Sequence, residues 1–323
     1  MYQSRLTLAP GSTIPLPARG GIAASCHIID DDSILAVSAA LATGRPLLVR
    51  GEPGTGKSQL ARAAAESLGR AFVSHTVDSR TETRDLLWSV DAVARLAEAQ
   101  LVGALRDGSE TALRERLAIQ RFVHPGPLWW AFDWESAEQQ AAALQLVVPP
   151  KPDGWKSESG VVVLVDEIDK ADPSIPNGLL DAFGHGRFEV PGREPVVMNP
   201  KSRPLVVVTT NEERALPDAF LRRCLVLPLS LPKDRAELIA TLCARGRAHF
   251  PQVAEEVVQK AADLLADDRE KLRNTDLCPP GLAEYIDLLR AVCELESSQK
   301  KQLALLTRIA KFALKKHPDS WER

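Results

Sequence analysis

Apolar and polar positions along the chain follow two different periods. From Asp30, DDDSILAVSAALATG spaces its apolar residues for a helix behind an acidic start and stops at Gly44. Short continuous apolar runs then alternate with helical stretches. The runs are PLLVR (46–50), AFVSHTV (71–77), VVVLVDEID (161–169), PLVVVTTN (204–211) and CLVLPL (224–229). Apolar strands without polar alternation, separated by helices, predict an α/β fold whose mostly parallel sheet is covered on both faces. After Pro232 the strand pattern ends. KDRAELIATLCARGRAHF, EEVVQKAADLLADD, GLAEYIDLLRAVCEL and SQKKQLALLTRIAKFALKK all repeat at helical spacing, which predicts a second, helical domain over 231–323.

Three stretches stand outside this layout. Residues 1–29 are rich in Pro, Gly and Ala and form an N-terminal extension to the 30–230 domain. Thr81–Gln120 is long, charged and helical, and Trp129–Gly160 contains WWAFDW and PPKPDGW. Both lie between the second and third strand runs, where long insertions are often functional. Exposed, Leu86, Leu87, Trp88, Trp129 and Trp130 would suit gripping another chain. The alternative is that they pack the insert onto the core, as Trp usually does.

Composition narrows the class without deciding it. The 323 residues are 45% apolar and 26% charged, ordinary values for a soluble globular protein, with a net charge of −3. That balance argues against a polyanionic partner, so nucleic acid is disfavoured. Cys26, Cys224, Cys243, Cys278 and Cys293 are odd in number and lack CxxC spacing, the pattern of reduced thiols in a cytoplasmic protein. The first residues lack an apolar signal core, and no run reaches about 18 apolar residues, so no membrane span is expected. The six histidines, His317 among them, show no ligand spacing.

The candidate chemistry begins at the end of the first run. Gly51, Glu52, Pro53, Gly54, Thr55, Gly56, Lys57 and Ser58, followed by Gln59, satisfy G-x-x-x-x-G-K-[ST] between a strand and an Ala-rich helix. Average residue usage makes such a match roughly a 1% event in a chain this long. Gly54 and Gly56 let the backbone curl so that its N–H groups face a phosphate, and the helix adds its positive end. Lys57 would carry a charge to the β- and γ-phosphates, and Ser58 a hydroxyl to Mg²⁺. The apolar run VVVLV then ends in two carboxylates. Asp166 would hold hydrated Mg²⁺, and Glu167, pointing the other way along the strand, would polarise an attacking water. Asn211, at the end of the fourth run, can orient that water, although alone it would read as a turn residue. Arg222 and Arg223 end the short helix PDAFLRR. They complement its dipole, or one of them reaches a neighbouring subunit's γ-phosphate as an arginine finger.

With these residues in place the sequence resembles the AAA+ ATPases, and within them the MoxR family, over about residues 26–323. GRPLLVRGEPGTGKSQLA, VVLVDEIDKAD, PNGLLDAF, VVVTTNEERALPDAFLRRC and PPGLAEYIDLLRAV carry the resemblance. It implies a P-loop NTPase core with a five-stranded parallel sheet sandwiched by helices, and a C-terminal helical lid. It also implies an insertion over about 81–122 and a hairpin before the sensor strand over about 186–199, turning at Pro191–Gly192. By position it gives Lys57 and Ser58 the phosphate and metal roles, Asp166 and Glu167 the metal and water roles, and Asn211 the first sensor role. The finger aligns with Arg223, while Arg222 stands where an acidic residue is common. The lid departs from many AAA+ relatives: Gly281 or Leu282 stands where an arginine would reach the γ-phosphate, and Arg290 is more than two turns too late.

Members of the family form rings, typically hexamers, and act as chaperone-like remodellers using ATP and Mg²⁺. They often work alongside a separate partner with a von Willebrand factor A domain. A nucleotide-gated switch controlling assembly with an effector needs the same residues. A nucleic-acid-remodelling ATPase is the weaker alternative, for want of a basic surface or a DNA-binding module.

Overall fold

The computed structural model describes residues 6–105, 109–172, 174–273, 275 and 277–315; His317 and the end of the helical stretch lie outside them. In chain order, β1 (Thr13–Leu16) and β2 (Ser25–Ile28) pair antiparallel, Thr13 opposite Ile28. Helix α1 (Asp31–Thr43) starts where Asp30 accepts from Ser33 N at 2.7 Å, with Asp31 and Asp32 complementing its positive end. Strand β3 (Leu47–Arg50), α2 (Lys57–Leu68) and β4 (Ala71–Thr76) follow. The next stretch holds β5 (Trp88–Val90), α3 (Ala92–Leu105), α4 (Glu110–Arg116) and β6 (Val123–Pro125), and β5 pairs antiparallel with β6. Then come α5 (Pro127–Phe132), α6 (Trp134–Ala143), β7 (Val161–Asp166) and α7 (Ser174–His185). A short antiparallel pair, β8 (Arg187–Phe188) with β9 (Val196–Val197), precedes β10 (Leu205–Thr210), α8 (Asp218–Leu221) and β11 (Leu225–Pro228). Four helices close the described chain: α9 (Arg235–His249), α10 (Glu255–Leu272), α11 (Leu282–Leu295) and α12 (Gln299–Ala313).

Five strands form one parallel sheet in the order β11-β3-β10-β7-β4, flanked by helices. All of β10 and the first five residues of β7 are buried, while the edge strand β11 is half exposed. That is why the first two read as unbroken Val/Leu runs. Each strand feeds a helix before the next parallel strand, so the carboxyl ends of the strands share one edge, where ligands of open α/β sheets bind.

The chain divides into two compact units. One comprises Leu35–Leu48 and Ala64–Val226 with the residues up to Thr7; the other comprises Leu8–Ile34, Val49–Ala63 and Leu227–Arg323. The first is built on a core that includes Val163, Val165 and Val208 of the sheet and a cluster of aromatics. Trp129 and Trp130 are 0% and 5% exposed. Trp129 Nε1 donates to Ser136 Oγ at 2.7 Å, and the Trp130 and Trp134 rings meet at 4.9 Å. These two side chains therefore hold the 127–143 segment on the core, and gripping another chain is excluded for them. Val93, Leu96 and Leu101 of α3 are exposed instead.

The second unit has its own core. Leu242, Val257, Ala261, Leu265, Tyr285, Leu289 and Leu306 interlock between α9, α10, α11 and α12. Asp234 accepts from Glu237 N at 3.0 Å and starts α9. In α12 the buried line is Gln302, Leu306 and Ala310, continued by Leu314 just past its end, and Phe312 is 69% exposed. All five cysteines are free; burial pushes the Cys224 thiol up to about 12. Among the described residues no helix is long and apolar enough to cross a membrane.

Candidate active site

Gly51 leaves β3 with φ 150°, and a Cβ there would sit 2.1 Å from the Leu229 carbonyl oxygen, so only glycine fits between the two backbones. Gly54 (φ 74°) and Gly56 (φ 96°) complete the curl. Thr55 Oγ1 donates to Glu52 O at 2.9 Å and ties the loop across its base. Lys57, 6% exposed, folds back over the loop and donates from Nζ to Gly51 O at 2.7 Å and Glu52 O at 2.8 Å. Helix α2 begins at that lysine with no acidic residue in its first turn, so no carboxylate there offsets its positive end. Behind the loop lies His27, whose ring is 3.8 Å from the place a Gly56 Cβ would occupy. Burial, with Arg245 nearby, pushes that imidazole down to about 4, so it is neutral at physiological pH. A curled glycine backbone, a lysine held by two carbonyls and the amino end of a 12-residue helix fit a nucleotide polyphosphate.

A cluster of acidic residues lies in the first unit. Strand β7 ends at Asp166 and does not continue to Asp169, because Glu167 takes the left-handed conformation (φ 60°, ψ 46°). Glu167 therefore does not alternate with Asp166 along a strand, as the sequence had suggested; it turns off the strand end. A non-glycine residue held there costs on the order of 1–3 kcal/mol, which the surrounding hydrogen bonds must offset. Those bonds come from the neighbouring strand β10. Thr209 Oγ1 donates to Asp166 Oδ1 and accepts from Glu167 N at 3.0 Å. One hydroxyl thus fixes both members of the acidic pair.

The Glu167 carboxylate is flanked on both oxygens. Lys170 Nζ donates to Oε2 at 2.6 Å, and Asn211 Nδ2 lies 3.5 Å from Oε1. The hydrogen bond to Glu167, together with its charge, raises the Lys170 ammonium above the usual lysine value. Asp169, 2% exposed, accepts from Asn211 N at 3.4 Å and Glu213 N at 3.0 Å. It thereby holds the turn after β10, where Glu212 is also left-handed (φ 62°), against the turn after β7. Asp166, Glu167 and Asn211 are brought to one place. Arg222 and Arg223 follow α8 and are exposed between buried Phe220 and Cys224. Arg223 lines a cavity of about 450 Å³ with Arg45, Phe183 and His185. Sequence reasoning missed Thr209, Asp169 and Lys170. The signal available for Lys170 was its i,i+3 spacing from Glu167. For Thr209 the only signal was a hydroxyl at the end of an apolar strand run, two residues before Asn211.

A strand, a glycine loop and a helix, with a central parallel strand ending in Asp–Glu and its neighbour ending in Asn, define a P-loop nucleoside triphosphatase. The chain belongs to the AAA family, in the dynein-related subfamily: the model of that AAA domain matches residues 46–224, more than half of the chain. It is accordingly an ATP hydrolase with a nucleotide-binding fold. Among curated proteins none matches. Among solved structures the chain is similar to a mutant form of RuvB from Thermotoga maritima, at 13% identity and a TM-score of 0.46, covering 87% of this chain and 68% of that one. It is also similar to the Thermotoga maritima RuvB Holliday junction branch migration motor, at 14% identity and a TM-score of 0.43, covering 86% and 67%.

Proposed function

We propose that this chain is a MoxR-type AAA+ ATPase that uses Mg²⁺-dependent ATP hydrolysis, in a ring of about six copies, to remodel or activate a partner protein. The observation that carries the reading is where the additions to the AAA domain fall. The β5–β6 segment with α3 and α4 stands between β4 and β7, and the β8–β9 hairpin stands directly before β10. Their positions support the insertion and the pre-sensor hairpin that the resemblance implies, over about 81–122 and 186–199. The functional division is then an extension (1–29), a nucleotide domain (30–230) and a helical lid (231–323).

In this reading Lys57 exchanges its two loop carbonyls for phosphate oxygens, so its buried charge stays partnered throughout. Gly51 to Gly56 present backbone N–H groups, and Gln59 follows in the first turn of α2. Ser58 and Asp166 would hold Mg²⁺, which would supply charge neutralisation to the polyphosphate. Glu167 accepts the proton of the attacking water as its oxygen bonds to the γ-phosphorus and the bond to the β-phosphate oxygen breaks. Asn211 orients that water. Arg223, or Arg222 beside it, completes the site of the next subunit. The test uses Glu167→Gln in Mg-ATP as bait. It should retain a partner protein that ADP releases, and Lys57→Ala, which lacks the phosphate-gripping charge, should not retain it. Equal capture by both variants would overturn the remodelling reading.

A second reading, a nucleotide-gated switch with slow turnover, is favoured by one observation: the Glu167–Lys170 ion pair. While Lys170 Nζ holds Oε2, that oxygen is engaged and is not free to take a proton from water, so the pair restrains hydrolysis while it lasts. Lys170→Met should raise basal turnover, because it frees that oxygen of Glu167. Steady-state rates across pH 5 to 9 check this; an unchanged or lowered rate favours the motor.

A further inference from the structure

Gly281 or Leu282 stands where the resemblance leads one to look for a lid arginine, and at Gly281 no side chain fits while Leu282 is buried. A Cβ on Gly281 would lie 2.9 Å from the Pro53 carbonyl oxygen. The amino end of α11 meets the phosphate loop backbone to backbone, with Ala283 N donating to Gly54 O at 3.2 Å. Glu284 closes that helix end by accepting from Gly281 N at 2.9 Å. Backbone therefore fills the space between the start of α11 and the glycine loop.

An arginine does reach the loop, from the preceding helix. Arg269, on α10, has its side chain 16% exposed. Its Nη2 donates to Glu52 Oε2 at 3.0 Å, and its Nη1 donates to Pro280 O at 2.8 Å. Glu52 is the second residue of the glycine loop, and its own carbonyl oxygen accepts from Lys57 and Thr55. One line of contacts thus runs from the Lys57 ammonium through Glu52 to Arg269, and on to the carbonyl before Gly281. The planar fork of arginine can hold two acceptors that lie in different directions, which a lysine ammonium does not reproduce with the same rigidity. Beside the pair an open cavity of about 750 Å³, lined by Glu52, Arg269, Arg235 and Arg273 among others, leaves room for it to part without repacking the core.

We infer that the Arg269–Glu52 pair is the link through which the helical region senses what the phosphate loop holds, and that Arg269 is a positioning residue for nucleotide discrimination. The inference rests on the ATPase reading above. A phosphate that draws Lys57 off the Glu52 carbonyl alters the loop at Glu52. A ligand that makes this demand more strongly then binds with a different Arg269–Glu52 energy, which is a coupling between the two places. Glu52 is 40% exposed, so an unpaired carboxylate there is solvated and the pair contributes little to stability alone.

The test measures the ratio of ADP to ATPγS dissociation constants by calorimetry on the full chain, for wild type, Arg269→Met, Glu52→Gln and the double variant. Each single change should alter the ratio about fivefold or more, within the usual range of coupling energies, with the melting temperature moving only a few degrees. The double variant should change it no further than either single one, because both remove the same contact. If Arg269→Met fails to fold, Glu52→Gln carries the test alone. An unchanged ratio in the folded single variants, or effects that multiply in the double one, overturns the inference while leaving the ATPase reading standing. A wild-type chain that binds neither nucleotide overturns both.

Discussion

Glu167→Gln is expected to bind ATP as wild type does and to hydrolyse it about 10²–10⁴-fold more slowly, the usual loss when a positioned general base is removed. Glutamine keeps the volume of the side chain and an oxygen that can accept from Lys170, so the left-handed turn after β7 keeps its partners. What is lost is the capacity to take a proton. The ion pair is partly exposed at both ends, so its loss should move stability by about 1 kcal/mol or less. Single-turnover hydrolysis and calorimetric ATP binding check the two halves of this expectation separately. Undiminished turnover would remove Glu167 from the mechanism. Lost binding would mean that its charge serves the ground state.

The parts of the fold that were legible in the sequence are those set by local pattern. A short, unbroken, β-branched run such as VVVLV reads as a strand buried on both faces, and β7 lies between β10 and β4. A glycine loop between a strand and a helix announces itself because few sequences meet its backbone demands. The candidate site was legible as residue types at strand ends, and no further. That Thr209 bridges Asp166 and Glu167 depends on the parallel register that sets Val208 of β10 opposite Val165 of β7, which no window of sequence contains. The same holds for Arg269 and Glu52, 217 residues apart. Glu167 was misplaced along the strand because a left-handed glutamate has no sequence mark: its conformation is imposed by the Thr209 hydroxyl and the Lys170 ammonium. Trp129 and Trp130 left two readings open, and packing decided between them, since Ser136 and Trp134 give them buried partners.

Arg223→Ala is expected to lower turnover about 10³-fold or more, the scale on which an arginine finger acts, while leaving ATP affinity within a few-fold of wild type. The Arg223 side chain is exposed. Phe220 and Cys224, buried on either side, fix the backbone after α8 and leave both arginines exposed. If Arg223 works on the neighbour's nucleotide, Arg223→Ala and Lys57→Ala damage different subunits of the same interface. Mixing the two inactive proteins should then restore activity. With random assembly in equal amounts, about a quarter of interfaces join an intact phosphate loop to an intact arginine, so recovery should approach that fraction and peak near equal mixing. Arg222→Ala gives the control. If it, and not Arg223→Ala, is complemented by Lys57→Ala, the finger is one residue earlier. If neither is complemented at any ratio while mixed rings form, the arginine completes its own subunit's site, and hydrolysis does not require a neighbour. The complementation thus separates a site shared between copies from a self-sufficient one, a distinction that decides whether nucleotide state can pass around a ring at all.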